Sequence, residues 1–276
     1  MTIWPAPAKL NLFLRITGQR ADGYHTLQTV FQFLDYGDEL EFIVTDGAQI
    51  ARATPVAGVP EDQDLTVRAA RLLQEAASIG QGVEIRLRKR IPTGGGLGGG
   101  SSDAATTLLA LNELWGTHLP RGELARLGLM LGADVPVFVH GRAAWAEGIG
   151  EILTPVEPEE AWYLVLAPPV YVSTAQVFAN PELTGYSPPL TIRDFHEGRG
   201  LRNDLEAVVR NRYPEVDRAM RWLSQFGEPR MSGSGGCVFL MLADADRGRQ
   251  ILERIPKPFT GFVARGMNRH PLYVMG

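Results

Sequence analysis

The chain has 276 residues, of which 45% are hydrophobic and 21% are charged, and its formal net charge is −4 with an isoelectric point near 5.8. These values are typical of a globular protein with one large or two medium cores. A net acidic chain is not expected to bind nucleic acid or an acidic membrane, so an anionic ligand would have to be bound by local groups. The single cysteine, Cys237, excludes an intrachain disulfide and fits a reducing cytoplasm.

No export or membrane segment is predicted. Five residues interrupt any signal-peptide core near the N-terminus: Pro5, Pro7, Lys9, Asn11 and Arg15. The longest apolar stretch, residues 161–172, is far shorter than the roughly 20 residues that a membrane helix needs, and it contains two prolines. It therefore predicts a buried strand followed by a turn.

The segments before residue 90 predict strands and one helix. Residues 31–34 and 40–44 have strand composition and flank a turn at 35–38, which predicts a hairpin. Apolar residues recur with helical spacing over 66–77. From residue 83 onward apolar and charged residues alternate, which predicts a half-exposed strand.

A glycine-rich loop follows that strand. Six of the seven residues 94–100 are glycine, and Ser101 and Ser102 are suitable N-caps for a helix over 103–112. An ordered glycine costs about 0.5–1 kcal/mol more chain entropy than alanine, so such a loop is retained where the backbone approaches a ligand closely or adopts positive φ. Unpaired amides and the dipole of the following helix attract phosphate, and the segment therefore predicts a phosphate-binding loop.

Three other interpretations of this loop fit less well. A flexible linker would not lead directly into a periodic helix. The P-loop ends in Gly-Lys-Ser or Gly-Lys-Thr, and no lysine follows these glycines. A G-x-G-x-x-G spacing can be placed on Gly94, Gly96 and Gly99, but the alternating strand before it differs from the doubly buried strand of a dinucleotide fold.

The rest of the chain predicts a second α/β unit. A helix over 121–131 ends at Gly132 and leads into the apolar segment 133–139. Residues 156–160 are polar and contain proline, which indicates a domain boundary. Beyond them strands and helices alternate, as in a split β-α-β sandwich of the ferredoxin-like kind. The predicted strands cover 162–167, 237–242 and 259–265, and the predicted helices cover 201–212, 215–226 and 246–255.

Two charged residues lie in apolar surroundings. Lys9 and Asn11 alternate with leucines in a predicted strand, so they point the same way as Phe13. That face is either an ordinary solvated face or part of a site. Asp134 lies in the apolar segment 133–139, where it is either a cap or turn residue or a functional carboxylate. A nearby positive charge from Lys9 would favour the ionised carboxylate.

Two further segments carry groups that bind ligands. Residues 232–237 form a second glycine-rich turn, which is either a plain turn or a second set of backbone donors for the same polyphosphate. In the segment 22–25, Tyr24 offers a stacking face and His25 a hydrogen-bonding imidazole, although a plain turn also fits. The histidines are scattered and the cysteine is single, so no metal cluster of the His/Cys type is predicted.

The chain resembles the GHMP superfamily of small-molecule kinases. Residues 92–102 match the nucleotide loop of that superfamily. Four segments resemble more specifically the family that acts on a cytidine diphosphate derivative of methylerythritol in non-mevalonate isoprenoid biosynthesis: 7–14, 20–27, 132–138 and the late Gly-x-Gly-x-Cys loop. The resemblance covers nearly the whole chain. It implies the α+β two-domain GHMP-kinase fold, with an N-terminal ribosomal-protein-S5-like β/α domain over 1–156 and a C-terminal ferredoxin-like α/β sandwich over 157–276.

The resemblance also implies a reaction. The γ-phosphoryl group of ATP would be transferred to a hydroxyl of the methylerythritol. Asp134 would orient or deprotonate that hydroxyl, and Lys9 would favour ionised Asp134 and neutralise developing charge. The residues implied to bind the ATP phosphates are Pro92, Gly94, Gly95, Gly96, Leu97, Gly98, Gly99, Gly100, Ser101 and Ser102.

The implied substrate is a small molecule that contacts four side chains. Tyr24 and His25 would bind the cytosine, Phe178 would supply a second stacking face, and Asn11 would lie near the erythritol. Mg²⁺ is expected as the counter-ion of ATP, and the sequence names no ligand for it. The resemblance further implies a cytoplasmic enzyme that is a monomer or weak homodimer, with no nucleic-acid or membrane partner.

Three residues depart from the family's pattern. Ser234 and Gly236 stand where Thr and Ala are more frequent, and Asp64 stands where an asparagine close to the purine is expected, so Asp64 is given no role. Other functions remain open: a GHMP kinase for homoserine or mevalonate, a catalytically silent nucleotide-binding protein on the same scaffold, and a dinucleotide-dependent oxidoreductase. The Gly-Tyr-His segment disfavours the first of these, and the presence of both Lys9 and Asp134 disfavours the second.

Overall fold

A mixed β-sheet with helices packed on it forms the framework of the computed structural model, which describes residues 2–56, 58–180, 183 and 185–273. The strands are β1 (Trp4–Gln19), β2 (His25–Thr45), β3 (Ile50–Arg52), β4 (Gly82–Arg88), β5 (Ala144–Glu147), β6 (Ile152–Pro155), β7 (Trp162–Ala167), β8 (Arg230–Met231), β9 (Val238–Leu242) and β10 (Thr260–Met267). The helices are α1 (Leu65–Ala76), α2 (Gly99–Leu114), α3 (Arg121–Leu129), α4 (Val135–His140), α5 (Thr174–Phe178), α6 (Ile192–His196), α7 (Glu206–Arg212), α8 (Pro214–Leu223) and α9 (Ala245–Leu252). No helix in these described ranges has the length and apolar character needed to span a bilayer.

The strand order β3-β4-β2-β10-β7-β9-β8 joins the two halves of the chain. β10 is the junction, because it pairs with β7 over residues 260–265 and with β2 at Gly266 and Met267. The boundary predicted at 156–160 lies between β6 and β7 and stays a prediction. Among the paired strands in the described ranges only β3 and β4 are parallel, so the strand before the glycine loop does not belong to a dinucleotide fold.

Most predicted elements are confirmed close to their expected positions, but the predicted hairpin is wrong. β2 runs without a turn through residues 35–38, because it pairs with β1 on both sides of this segment. Gly37 lies so close to β1 that an added Cβ would be 2.4 Å from the carbonyl oxygen of Ala6. Strand pairing therefore overrides the turn-favouring composition of the segment. β2 therefore continues as one strand past Asp38 to Thr45.

The helix predicted over 201–212 begins only at Glu206. The residues before it extend along β1: the amide of Leu14 donates to the carbonyl of Arg202 (3.0 Å), and the amide of Asp204 donates to the carbonyl of Leu14 (2.8 Å). Asn203 then accepts a hydrogen bond from the amide of Leu205 (3.0 Å). Pairing with β1 thus delays the helix by one turn and fixes the C-terminal half against the strand that carries Lys9.

The C-terminal segment closes over α4. The carbonyl of Asn268 accepts from the amide of Ala143 (2.9 Å), and the amide of His270 donates to the carbonyl of Gly141 (3.0 Å). The hydroxyl of Tyr273 donates to the carbonyl of Val139 (2.6 Å). Because α4 follows Asp134 directly, these contacts fix the position of that carboxylate relative to the sheet.

Candidate active site

A cavity of about 1060 Å³ lies against the glycine loop. Nine of the ten loop residues implied to bind ATP line it, and Ser102 does not, because it is fully buried. The cavity wall also contains both members of the predicted catalytic pair and all four side chains implied to bind the substrate: Lys9, Asp134, Asn11, Tyr24, His25 and Phe178. The structure therefore brings together residues from widely separated parts of the chain.

The glycine loop leads into α2 earlier than predicted. The helix begins at Gly99, and Gly98 is its N-cap with a left-handed φ of 70°, so Ser101 and Ser102 are not N-caps. Glycine is required at position 98 because of this φ and because an added Cβ would lie 3.0 Å from carbons of the Lys9 side chain. The first turn of α2 consequently presents backbone amides and Ser101 to the cavity.

The two glycine-rich segments pair with each other. The amide of Gly236 donates to the carbonyl of Gly94 (3.3 Å), and the amide of Cys237 donates to the carbonyl of Gly95 (3.0 Å). A Cβ on Gly235 would lie 2.1 Å from the amide nitrogen of Gly96. The late loop is therefore not a plain turn, and its amides at 236 and 237 are directed to the first loop rather than to a ligand. Gly233 and Ser234 remain in the cavity wall.

Lys9 is buried and makes three polar contacts. Its residue exposure is 2%, so the solvated-face interpretation is wrong. The ammonium Nζ lies 3.1 Å from Oδ2 of Asp134, and it donates to Oδ1 of Asn11 (2.5 Å) and to the carbonyl of Gly96 (3.2 Å). An ammonium has three donors, and each of these has an acceptor. The side-chain NH₂ group of Asn11 also has a partner, because Nδ2 donates to Thr29 Oγ1 (3.0 Å).

Asp134 differs from Lys9 in its access to the cavity. It occupies the N-cap position of α4 but makes no capping hydrogen bond, so the cap interpretation does not account for its side chain. The side-chain exposure is 34% for Asp134 and 3% for Lys9. The carboxylate therefore faces the cavity, and the ammonium lies behind it. The Asp134 carboxylate is therefore the more accessible group of the pair.

Three aromatic side chains, Tyr24, His25 and Phe178, form an aromatic wall in the same cavity. The rings of His25 and Phe178 are 5.9 Å apart and tilted by 37°, and Tyr24 is 62% exposed. Nδ1 of His25 is buried without a hydrogen-bond partner. A flat heterocycle bound in the cavity would cover these rings.

Comparison with known proteins places this arrangement in a family. The GHMP kinases N terminal domain matches residues 64–142, and the GHMP kinases C terminal domain matches residues 191–261. A 4-diphosphocytidyl-2-C-methyl-D-erythritol kinase from Thiobacillus denitrificans is 59% identical over 98% of this chain and 97% of its own length. The chain belongs to the GHMP kinase family. A kinase of the same name from Pseudomonas syringae is 55% identical over 96% of this chain and 94% of its own length.

Solved structures agree with that assignment. The crystal structure of a 4-(cytidine 5'-diphospho)-2C-methyl-D-erythritol kinase superposes with a TM-score of 0.83 at 34% identity, covering 96% of this chain and 99% of the other. A mevalonate kinase superposes with a TM-score of 0.72 at 18% identity, which shows the shared fold alone. This GHMP kinase is a small-molecule kinase that uses ATP, with the predicted α+β fold.

Lys89 is a cavity residue that the sequence reasoning missed. Its ammonium lies 2.5 Å from Asp38 Oδ2 and 2.6 Å from Asp103 Oδ2. Burial lowers the pKa of Lys89, but the two carboxylates outweigh that effect and keep this pKa above its usual value. The composition contains a signal that could have identified Lys89, because only three of the 27 lysines and arginines are lysines. In the structure two of these three, Lys9 and Lys89, line the cavity.

Asp64 has a structural role that accounts for it. It is the N-cap of α1, and its Oδ1 accepts from the amide of Thr66 (2.8 Å). Its Oδ2 is paired with Arg52 (2.5 Å), and both side chains are buried. The carboxylate is therefore occupied at the start of α1, although it borders the cavity.

The cluster of Lys89, Asp38 and Asp103 predicts a pH effect on stability. Asp38 also accepts hydrogen bonds from the amides of Arg90 and Ile91, whereas Oδ1 of Asp103 is buried without a partner. Burial raises the pKa of Asp103 to about 8 from its usual 3.8. When a carboxyl has a higher pKa in the folded than in the unfolded state, the free energy of unfolding of the protein falls as the pH increases from the unfolded pKa to the folded one.

We expect Asp103→Asn to remove this loss. The free energy of unfolding of the wild type should fall between pH 5 and pH 8.5. The fall in the variant should be smaller by about 1 kcal/mol or more. Urea unfolding at the two pH values measures the difference. Asp46→Asn, at an exposed acid outside the cluster, is the matched control and should keep the wild-type difference, whereas Asp38→Asn should destabilise the fold because three donors lose a charged acceptor. Equal pH dependence in wild type and Asp103→Asn would contradict the prediction.

Proposed function

We propose that this GHMP kinase transfers the γ-phosphoryl group of ATP to a hydroxyl of the methylerythritol part of 4-diphosphocytidyl-2-C-methyl-D-erythritol. The observation that carries the proposal is that the Lys9–Asp134 pair shares one cavity with the Tyr24, His25 and Phe178 rings and with the glycine loop. Relatives with this named activity are 55–59% identical over nearly the whole chain, which supports the same substrate. An acceptor without a base, such as mevalonate or homoserine, would leave the aromatic wall uncovered.

Asp134 is the group that contacts the acceptor hydroxyl in this proposal. Its carboxylate faces the cavity, where it orients the hydroxyl and accepts its proton as the new oxygen–phosphorus bond forms and the bond to ADP breaks. Lys9 lies behind the carboxylate with all three donors occupied, so it contributes a fixed positive charge rather than a new hydrogen bond. Phosphoryl transfer depends mainly on positioning and charge stabilisation, which a rigid pair of this kind supplies.

The glycine loop and the first turn of α2 bind the triphosphate in the proposal. Backbone amides at a helix N-terminus attract phosphate oxygens, and nine loop residues line the cavity. Within the described residues no cluster of three or more His, Cys, Asp or Glu suits a metal. Mg²⁺ would enter with the nucleotide, held largely by phosphate oxygens and water. Ser101, in the cavity wall, would be a side-chain ligand for Mg²⁺, which would offset phosphate charge when bound.

The role of Asp134 can be tested by Asp134→Asn. We expect kcat to fall by about 10²–10⁴, because the amide cannot accept the hydroxyl proton. Nucleotide affinity, measured by calorimetry with ADP, should stay close to the wild-type value, since the loop is intact. Asp46→Asn, at an exposed acid outside the cavity wall, is the matched control and should retain full turnover. Normal turnover in Asp134→Asn would rule out the assigned role.

The substrate itself can be tested by ADP release with three acceptors. We expect turnover with 4-diphosphocytidyl-2-C-methyl-D-erythritol and none with mevalonate or homoserine, because only the first acceptor places a base on the aromatic wall. ATP alone gives the background rate. A higher kcat/KM for either of the other acceptors would overturn the proposed substrate, and ADP release from none of them would favour a silent nucleotide-binding protein.

The aromatic wall predicts a binding effect that is separate from chemistry. Tyr24→Ala should raise the KM for the cytidyl substrate by about 5- to 160-fold, since stacking of a base on an aromatic ring contributes about 1–3 kcal/mol. The KM for ATP should not change. Tyr186→Ala is the control, because that tyrosine is also exposed (52%) but lies outside the cavity wall. An equal KM in both variants would show that Tyr24 does not bind the base.

A further inference from the structure

The late glycine-rich loop contributes a buried hydroxyl beside the catalytic pair. Ser232 has no exposed surface, and its Oγ accepts from the amide of Asn11 (3.2 Å) and donates to the carbonyl of Gly96 (3.0 Å). Both partners also contact Lys9: the ammonium donates to Oδ1 of Asn11 and to the same Gly96 carbonyl. Two of the three residues that contact the ammonium are therefore hydrogen-bonded to one serine hydroxyl.

The backbone around Ser232 is fixed on both sides. Nδ2 of Asn203 donates to the carbonyl of Met231 (2.9 Å) and to the carbonyl of Gly233 (2.7 Å). The amide of Ser232 itself donates to the carbonyl of Cys237 (3.1 Å). A Cβ on Gly96 would lie 2.0 Å from the Ser232 carbonyl oxygen, so the two loops are in direct contact here. The hydroxyl therefore occupies one defined position.

We infer that Ser232 is a positioning residue, which fixes Gly96 and Asn11 so that the Lys9 ammonium stays against Asp134. Ser232 does not line the cavity, so removing its hydroxyl removes no contact with a ligand. It does remove the acceptor of one buried amide and one of the two donors to the Gly96 carbonyl. The inference rests on the proposed function, because it assumes that Asp134 receives the acceptor hydroxyl.

Kinetics of Ser232→Ala test the inference. We expect kcat to fall by about 10- to 100-fold, since small displacements of catalytic groups have effects of this size. The KM values for ATP and for the acceptor should stay within about threefold, because the ligand contacts are intact. Ser187→Ala is the matched control: this serine is also buried and accepts a hydrogen bond from Arg202 (3.0 Å), but it lies outside the cavity wall. It should retain the wild-type kcat.

The three lysines of the chain permit a second readout that does not need turnover. The side-chain nitrogens of Lys9, Lys89 and Lys257 should give three ¹⁵N signals when detected through the non-exchanging Hε protons, and Lys9→Arg identifies the signal of Lys9. In Ser232→Ala this signal should shift or broaden by exchange, whereas in Ser187→Ala it should not. The Lys257 signal should be the same in the wild type, Ser232→Ala and Ser187→Ala. If Ser232→Ala does not fold, Ser232→Cys, which keeps the volume but is a weaker hydrogen-bond partner, takes its place.

The outcomes separate this inference from the proposed function. A reduced kcat together with a changed Lys9 signal, both absent from Ser187→Ala, supports the positioning role. An unchanged Lys9 signal, or equal kcat values in the two serine variants, overturns it. If the wild type phosphorylates none of the acceptors but the Lys9 signal still responds to Ser232→Ala, the proposed function fails while the inferred coupling of Ser232 to Lys9 holds.

Discussion

The burial of the Lys9 ammonium is the constraint on which the site depends. A charged group removed from water is costly unless every donor finds an acceptor, and here Asp134, Asn11 and Gly96 supply the three acceptors. Each acceptor belongs to a different structural unit: α4, β1 or the glycine loop. One cation thus fixes the relative positions of the units that would present the carboxylate and the phosphate chain to each other.

The fold supports that cation from both halves of the chain. β1 carries Lys9 and Asn11 and pairs with β2, and it also accepts the segment around Asn203. The two glycine-rich loops pair directly, and the C-terminal segment closes over α4. Because β10 bridges β2 and β7, the sheet transmits the position of one half to the other. The candidate site is thus assembled from both halves of the chain.

The sequence predicts much of the fold and the candidate site, because the decisive signals are local and chemically unusual. Glycine density marks the loop, and Lys9 and Asp134 stand out against apolar neighbours. The failures arise where long-range pairing overrides a local preference. The segment 35–38 has turn composition but is held in a strand by β1, and Ser101 and Ser102 are good caps that lose this role to a left-handed Gly98. Lys89 carries no local pattern, and Ser232 gains its importance only through contacts with Asn11 and Gly96.

The unusual distribution of lysine has a practical consequence for handling the molecule. Arginine supplies nearly all of the positive charge, while two of the three lysines are in the cavity wall and the third, Lys257, is exposed and outside it. Guanidinium groups do not react with common acylating reagents under mild conditions, since they stay protonated. Amine-reactive reagents therefore have two kinds of side-chain target. Lys9 and Lys89 lie in the cavity wall, where a bound nucleotide would shield them. Lys257 lies outside it, so a surface tether or a fluorophore on Lys257 leaves the cavity open.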